Sequence, residues 1–373
     1  MTRPTLGVVT VTHDGLDHLK SFIPALRQNT RESTVSLKLL VIDNASSDGT
    51  EEWLRNQKID TLRFDSNQGF AKPNNLGVER LHDCEYVALL NNDTRVCDGW
   101  YEPLVEAIQE DESIVAAGAI LTDWSGEKID FDGGVVSFSG HAHQSNQGKP
   151  VSMITPDNRD ALFVCGGAML VRRSLFLRLG GFDEDFFAYF EDVDFGWRAR
   201  MAGYRIVLVP ESRVMHRHQG TAGRLPFPPR MRLYERNALC TVLKNYDDNH
   251  LWPALSASLL ALYERMASYS AFDYQGLLPP DPLPPKAPAE GNYAISGLSG
   301  AQLLAVADLA HQWDFWMRKR QITQAMRRKP DYDLFPLFGD MDIPPLLGDE
   351  TYAEVHRIII DHMHMDLFPE TRT

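Results

Sequence analysis

Over the first 120 residues the hydrophobic positions switch repeatedly between two periods. The β-branched run Leu6-Gly7-Val8-Val9-Thr10-Val11-Thr12 predicts a buried strand, and helical spacing follows through Leu16, Leu19, Phe22, Ile23 and Leu26. Leu37 to Asp43 predicts a second strand. Ser46-Ser47-Asp48-Gly49-Thr50-Glu51-Glu52 then gives an N-cap signal ahead of Trp53 and Leu54. A short strand over Thr61 to Phe64, a glycine-containing loop, a helix around Asn75 to Leu81 and a fourth strand over Tyr86 to Leu90 complete the series. Strands alternating with helices imply an α/β fold with a mostly parallel sheet covered on both faces. Ligands of such sheets bind beyond the carboxyl ends of the strands. The polar residues at those ends are Thr12-His13-Asp14, Asp43-Asn44, Asn67 and Asn91-Asn92-Asp93.

Residues 123 to 150 change character. Gly126, Gly133-Gly134, Gly140 and Gly148 punctuate short alternating runs, which predicts a hairpin excursion or a mobile loop. Residues 162 to 171 return to a buried strand, broken by Gly166-Gly167. Beyond Gly220 the alternation stops. Helical patterns cover 230 to 270 and 299 to 329, with a proline-rich break from Pro279 to Pro288. These shifts place a boundary near 220, between an α/β unit (1–220) and a mainly helical region (221–373). Leu251, Leu255, Leu259, Leu262, Tyr263 and Met266 fall near one helical face, whose burial in a core or a homodimer is favoured over docking to a membrane.

Composition narrows the partners. The net charge of −14 argues against a nucleic-acid-binding face but leaves room for a local basic pocket. Four scattered cysteines, Cys84, Cys97, Cys165 and Cys240, favour a reducing compartment and disfavour a zinc site. The chain starts directly in a strand pattern with no signal peptide. Leu251 to Tyr263 is too short to cross a bilayer, which needs about 20 apolar residues. The expected location is cytoplasmic, with the inner face of the membrane as the alternative.

The richest chemistry lies between residues 190 and 216. Phe190-Glu191-Asp192-Val193-Asp194-Phe195 opens a helix that closes at Gly203, a strand follows, and His216 stands at its far end. Acids are favoured in a first helical turn, so capping is the plain reading. Capping does not account for three acids set among Phe187, Tyr189, Phe190, Phe195 and Trp197, where carboxylates are costly to desolvate. Such a setting can tune a catalytic base. Elsewhere each reading has a rival. Asp43 suits a base's ring N–H or an Asx turn. The loop Asn67-Gln68-Gly69-Phe70-Ala71-Lys72-Pro73-Asn74-Asn75 suits phosphate at a helix N-terminus. Asp93 suits a hard divalent cation or a simple strand-to-loop turn. His216 suits a metal or a structural hydrogen bond.

In this order and combination, these motifs resemble the family 2 glycosyltransferases of the GT-A fold, especially bacterial rhamnosyltransferase-like and galactofuranosyltransferase-like members, over about residues 5 to 220. The resemblance implies that Thr10, Thr12 and His13 line a nucleotide pocket, although many relatives carry Tyr-Asn in place of His13-Asp14. It implies that Asp43 recognises the base, and that Asn67, Gly69, Phe70, Lys72 and Asn75 flank ribose and diphosphate. Asn91-Asn92-Asp93 matches an Asp-x-Asp metal motif whose first acid is Asn91. Asp93 and His216 would then hold Mg²⁺ or Mn²⁺. Gly166 and Gly167 match backbone near the donor sugar and acceptor. Asp192 matches the general base, with Glu191 and Asp194 as supporting residues on the sugar side, one binding acceptor hydroxyls and the other capping or orienting. The implied reaction is an inverting, single-displacement transfer from a dTDP- or UDP-sugar to a hydroxyl of a glycan or lipid-linked glycan. A non-catalytic sugar-nucleotide or glycan-binding protein of the same fold is the alternative. A sugar nucleotidyltransferase is disfavoured, because residues 5 to 20 lack its glycine-rich signature.

Overall fold

The computed structural model describes residues 5–30, 35–217, 227–269, 296–339 and 350–362. Its strands are β1 (Thr5–Thr12), β2 (Ser36–Asp43), β3 (Asp60–Arg63), β4 (Tyr86–Leu90), β5 (Thr94–Val96), β6 (Ile114–Thr122), β7 (Ile129–Phe131), β8 (Gly134–Val136), β9 (Ala142–Gln144), β10 (Arg159–Asp160), β11 (Ala168–Arg172) and β12 (Arg205–His216). The main sheet runs β10-β12-β6-β11-β4-β1-β2-β3, with β5 added beside β12 and β7 beside β6. β3, β2, β1 and β4 are parallel neighbours, and β12 is parallel to β6. β11 is antiparallel to both β4 and β6 and sits between them. Six long strands therefore point one way, and β11 enters the sheet at the edge where the others end. β4 and β6 are buried along their whole length, which is why they read as unbroken apolar runs.

The helices of the α/β part are α1 (Leu16–Asn29), α2 (Thr50–Asn56), α3 (Ala71–Arg80), α4 (Glu102–Glu110), α5 (Arg173–Arg178) and α6 (Glu191–Met201). Beyond β12 the described elements are helical: α7 (Phe227–Asn245), α8 (Leu251–Tyr269), α9 (Gly297–His311), α10 (Trp313–Ala325) and α11 (Glu350–His362). Among the described residues no helix is long and apolar enough to cross a membrane. The expected apolar face of α8 divides. Leu251, Leu255 and Leu262 are buried, whereas Tyr263 is exposed. The Pro279–Pro288 break lies outside the described residues.

Two local features set the site. The expected strand over 162 to 171 shrinks to β11, because the backbone of Gly166 and Gly167 leaves the ladder for other partners. β12 carries a register shift between Val209 and Arg213. Pro210, lacking an N–H, falls inside it, where a ladder breaks most readily. After the break β12 pairs with β5, which sets His216 opposite Thr94, one residue from Asp93. The glycine-rich excursion contains a true hairpin, β8 against β9.

Candidate active site

The carboxyl edge brings together the ends of β1, β2, β4 and β12 with the start of β11. Thr12 is buried and accepts a hydrogen bond from Asn92 Nδ2 at 2.8 Å. Thr10 lies inside β1, fully buried, its hydroxyl with no hydrogen-bond partner. His13 Nδ1 is 2.8 Å from the Asn44 carbonyl. Asp43 is fully buried; it accepts from Ser46 N–H at 2.9 Å and pairs with Arg63 on β3. The Asx-type turn is thus present, and any contact to a base must share the carboxylate with Arg63. Asn44, one of the strand-end polar residues, organises the next loop. It donates to Asn67 Oδ1 (2.9 Å) and the Gly69 carbonyl (2.8 Å) and accepts from Gln68 N–H (2.8 Å).

Gly69 has φ +79°, and a Cβ there would stand 2.2 Å from the Phe187 carbonyl oxygen. Only glycine permits this approach. That carbonyl accepts the Phe70 N–H at 2.6 Å, which locks the loop to the segment leading into α6. Lys72 is exposed, with Nζ 3.2 Å from Gln68 Oε1. Asn75 binds away from the edge. Its amide donates to the Phe182 carbonyl at 2.8 Å and accepts from Phe182 N–H at 2.9 Å, which braces the 182–184 turn.

The segment 187–190 is strained: Phe187, Tyr189 and Phe190 have φ of 65°, 70° and 68°. Bulky residues in this region cost of order 1–3 kcal/mol each and persist only where surroundings force them. Here the force comes from α7. Asn237 Nδ2 lies within 2.8–3.0 Å of the carbonyls of Phe186, Ala188 and Tyr189, and Arg236 donates to those of Asp185 and Phe186. Phe190 also packs edge-on against Tyr234, with ring centroids 4.7 Å apart.

This strap delivers Asp192. Its carboxylate accepts from Gly166 N–H at 2.9 Å and from Val193 N–H at 2.9 Å. Gly167 is pinned in turn, its carbonyl accepting from Asn91 N–H at 2.9 Å. A Cβ on Gly167 would meet Asn91 Nδ2 at 2.5 Å, so the second glycine is also a close-approach position. The run Asp192–Gly166–Gly167–Asn91 therefore links α6 to the Asn91-Asn92-Asp93 corner through two hydrogen bonds and one peptide unit. Burial raises the pKa of Asp192 against the two N–H donors that lower it. Burial, then the charge of Asp192, lifts Glu191 well above the usual carboxylate range, and Glu191 Oε2 is buried with no hydrogen-bond partner.

A stability consequence follows. Because the folded-state pKa of Glu191 is raised, the stability tied to this group is full at pH below about 4.3, the ordinary glutamate value, and is lost as pH rises through the folded value. Glu191→Gln should therefore be more stable than wild type at pH 8, with the gap shrinking towards pH 5. Urea unfolding at the two pH values checks this; a gap that is absent or independent of pH contradicts it.

Asp194 does not face the crevice. It is fully buried; Oδ2 accepts from Arg198 Nε at 2.8 Å, and Oδ1 from Lys244 Nζ at 2.8 Å and Asn245 Nδ2 at 3.1 Å. Burial raises its pKa, but Lys244 and Arg198 outweigh it and hold the carboxyl below its usual range. These bonds anchor α6 to α7. Lys244 also pairs with Asp183, which Lys319 on α10 reaches too.

Asp93 and His216 do meet. Asp93 Oδ1 is 3.4 Å from His216 Nε2 and accepts no hydrogen bond. His216 Nδ1 lies 2.7 Å from Oδ2 of Asp130, a buried β7 residue absent from the sequence expectation. Burial lowers the His216 pKa, but the two carboxylates override it and raise it to about 9. Two buried carboxylates flank the imidazole, and once Nε2 gives up its proton Asp93 Oδ1 and His216 Nε2 form a donor pair that fits a divalent cation. Asp247, His250 and Asp331 also cluster in the helical part. Their atoms are engaged internally: Asp247 Oδ1 with His250 Nδ1 (2.8 Å), Asp331 Oδ2 with Asp247 N–H (2.7 Å), and Asp331 Oδ1 with Arg327 (2.9 Å). That cluster ties the α7–α8 turn to the segment after α10.

The sheet, with β11 reversed between β4 and β6 and acids at its carboxyl edge, is the GT-A arrangement of glycosyltransferases. Residues 8–180 match the model of glycosyl transferase family 2. The N-acetylglucosaminyl-diphospho-decaprenol L-rhamnosyltransferase of Mycobacterium tuberculosis is 30% identical over 244 residues, 59% of this chain and 78% of that protein. The O-antigen biosynthesis protein RfbC of Myxococcus xanthus is 27% identical over 230 residues, 59% of this chain and 18% of that protein. Among solved structures, GalNAc-T7 with UDP, GalNAc and Mn²⁺ aligns with a TM-score of 0.54 over 69% of this chain and 52% of that one, at 18% identity, a likeness of fold. The chain belongs to glycosyl transferase family 2 and is a glycosyltransferase.

Proposed function

We propose that the protein transfers a rhamnosyl unit from a nucleoside-diphosphate donor to a hydroxyl of a lipid-linked N-acetylglucosamine acceptor, with inversion and with Asp192 as general base. The rhamnosyl and lipid-linked parts rest on the named activity of the mycobacterial relative. The observation that carries the mechanism is Asp192 itself: a carboxylate with raised pKa, held by the Gly166 N–H at the entry of β11. An acceptor hydroxyl is a weak nucleophile until its proton is taken as it attacks. In one displacement, the acceptor oxygen bonds to the anomeric carbon, the bond to the diphosphate breaks, and the proton passes to Asp192. The N–H groups at 166 and 193 fix the carboxylate's orientation. The strained strap brings Asp192 against the backbone of Gly166, where a Cβ would already touch the Asp192 side chain at 3.4 Å.

Asp93 and His216 would hold a divalent cation, and Asp130 would orient the imidazole. The cation's contribution when bound is to neutralise charge on the leaving diphosphate. Asp93→Ala should abolish the dependence of nucleoside-diphosphate binding on Mg²⁺ or Mn²⁺. Asp130→Asn should weaken metal affinity by about 10–100-fold, the usual loss for an outer carboxylate. Titration calorimetry of UDP and dTDP, with and without metal, reads both. Equal affinities in all conditions for wild type would contradict the metal assignment.

A further inference from the structure

Outside the transfer centre, α9 and α10 meet at an elbow that frames a groove of about 720 Å³. Its walls include Asp185, Gln312, Trp313, Asp314, Phe315 and Arg318. We propose that this groove is a second sugar subsite that holds part of the glycan acceptor away from the reacting hydroxyl, an assignment that rests on the glycosyl-transfer reading above.

The chemistry of the walls selects the ligand class. A sugar ring presents an apolar C–H face and an equatorial belt of hydroxyls. Partly exposed aromatic planes suit the face, and carboxylate, amide and guanidinium groups suit the belt. The groove supplies both. Trp313 and Phe315 are half-buried, and the Trp313 indole is steadied by Trp252, with centroids 6.4 Å apart and planes 28° apart. Gln312, Asp314, Asp185 and Arg318 are exposed around them. The volume lies within the roughly 300–1,000 Å³ of ordinary ligand sites. Asp185 and Asp314 are balanced by Lys319 and Arg318, and a wall of mixed charge suits a neutral polyhydroxyl ligand. Trp252, Leu260 and Tyr263 on α8 leave apolar surface exposed.

The groove also connects to the chemistry. Asp185 belongs to the strap whose later residues bind the Gly69–Phe70 loop and deliver Asp192. Lys319 ties Asp185 to α10, and Phe186 packs on Trp316 at 5.8 Å between centroids. Asp185 in the groove wall and Asp192 thus stand seven residues apart on one continuous segment.

The test uses the full chain and a defined probe, N,N′-diacetylchitobiose, read by saturation-transfer NMR and titration. Trp313→Ala should weaken chitobiose binding by about 10-fold, consistent with loss of one stacked aromatic plane. Trp313→Phe should retain most of it. UDP affinity should be unchanged in both, which also reports that the variants are folded. With a lipid-linked disaccharide acceptor, Trp313→Ala should raise KM several-fold and leave kcat alone. Asp314→Asn and Arg318→Gln probe the same groove from its exposed rim, and should weaken chitobiose binding without a change in thermal stability. Equal chitobiose binding by wild type and all these variants would overturn the assignment. So would a Trp313→Ala protein that keeps chitobiose binding but loses co-sedimentation with phosphatidylglycerol vesicles, which would make the elbow a lipid-contacting surface. Because binding is read without turnover, a protein that binds chitobiose here but transfers no sugar would refute the proposed reaction and leave this site standing.

Discussion

Asp192→Asn should lower kcat by about 10²–10⁴-fold, the usual contribution of a positioned general base. The asparagine carbonyl can still accept the Gly166 N–H, so the entry of β11 and the link to Asn91 should survive. Donor and acceptor affinities should then stay within a few-fold of wild type, and the loss should sit in kcat. The raised pKa adds a signature. The acid limb of kcat/KM in the wild type should lie above about 3.9, the ordinary aspartate value, because burial favours the protonated form. A variant with near wild-type kcat at saturating acceptor would remove Asp192 from the base role, and Glu191 would be the next group to test.

Lys244→Met should produce the largest loss of stability, about 3–5 kcal/mol, as expected when one partner of a buried ion pair is removed. Lys244 is 2% exposed and faces two buried carboxylates, Asp183 and Asp194. Against a typical total of about 5–15 kcal/mol, such a loss is severe. It should ease at low pH. Without the ammonium the folded-state pKa values of both carboxyls rise, so the penalty is present above those values and fades as pH falls through them. Adding Asp194→Asn should recover part of the stability, since the two changes share one network. Urea unfolding of the single and double variants checks this. A loss under about 1 kcal/mol would mean that water reaches the network, with surface-like energetics.

The two residues also show where sequence reading stops. Asp192 and Asp194 stand in one acidic run, and local pattern does not tell a crevice acid from an anchoring one. What separates them is Lys244, 50 positions away, which reaches Asp194. The parallel strands β1 and β4 were legible because burial on both faces writes them as apolar runs, and β2 because its second half, Leu40 to Asp43, is buried. The direction of β11 was not, because a buried run reads the same both ways. That direction decides the site: it places Gly166 and Gly167 at the carboxyl edge beside Asp192 and Asn91. Asp93 and His216 were legible as strand-end residues. Asp130 was hidden in a stretch of short, glycine-punctuated runs, and its partner lies 86 residues on. Asn75 looked like a member of a phosphate loop, yet its role was set by the Phe182 backbone 107 residues away. Asn237 carries no local signal, because an interior helical asparagine is informative only once the strained carbonyls it clamps are known.

The most direct test of the account is acceptor-dependent release of nucleoside diphosphate by the purified full chain. It would be supplied with dTDP-rhamnose or UDP-sugars, a polyprenyl-diphosphate N-acetylglucosamine acceptor and Mg²⁺ or Mn²⁺. The account predicts release coupled to formation of a disaccharide of inverted anomeric configuration, suppressed by chelation and reduced at least about 100-fold in Asp192→Asn. Retained anomeric configuration, or transfer undiminished in Asp192→Asn, would contradict it.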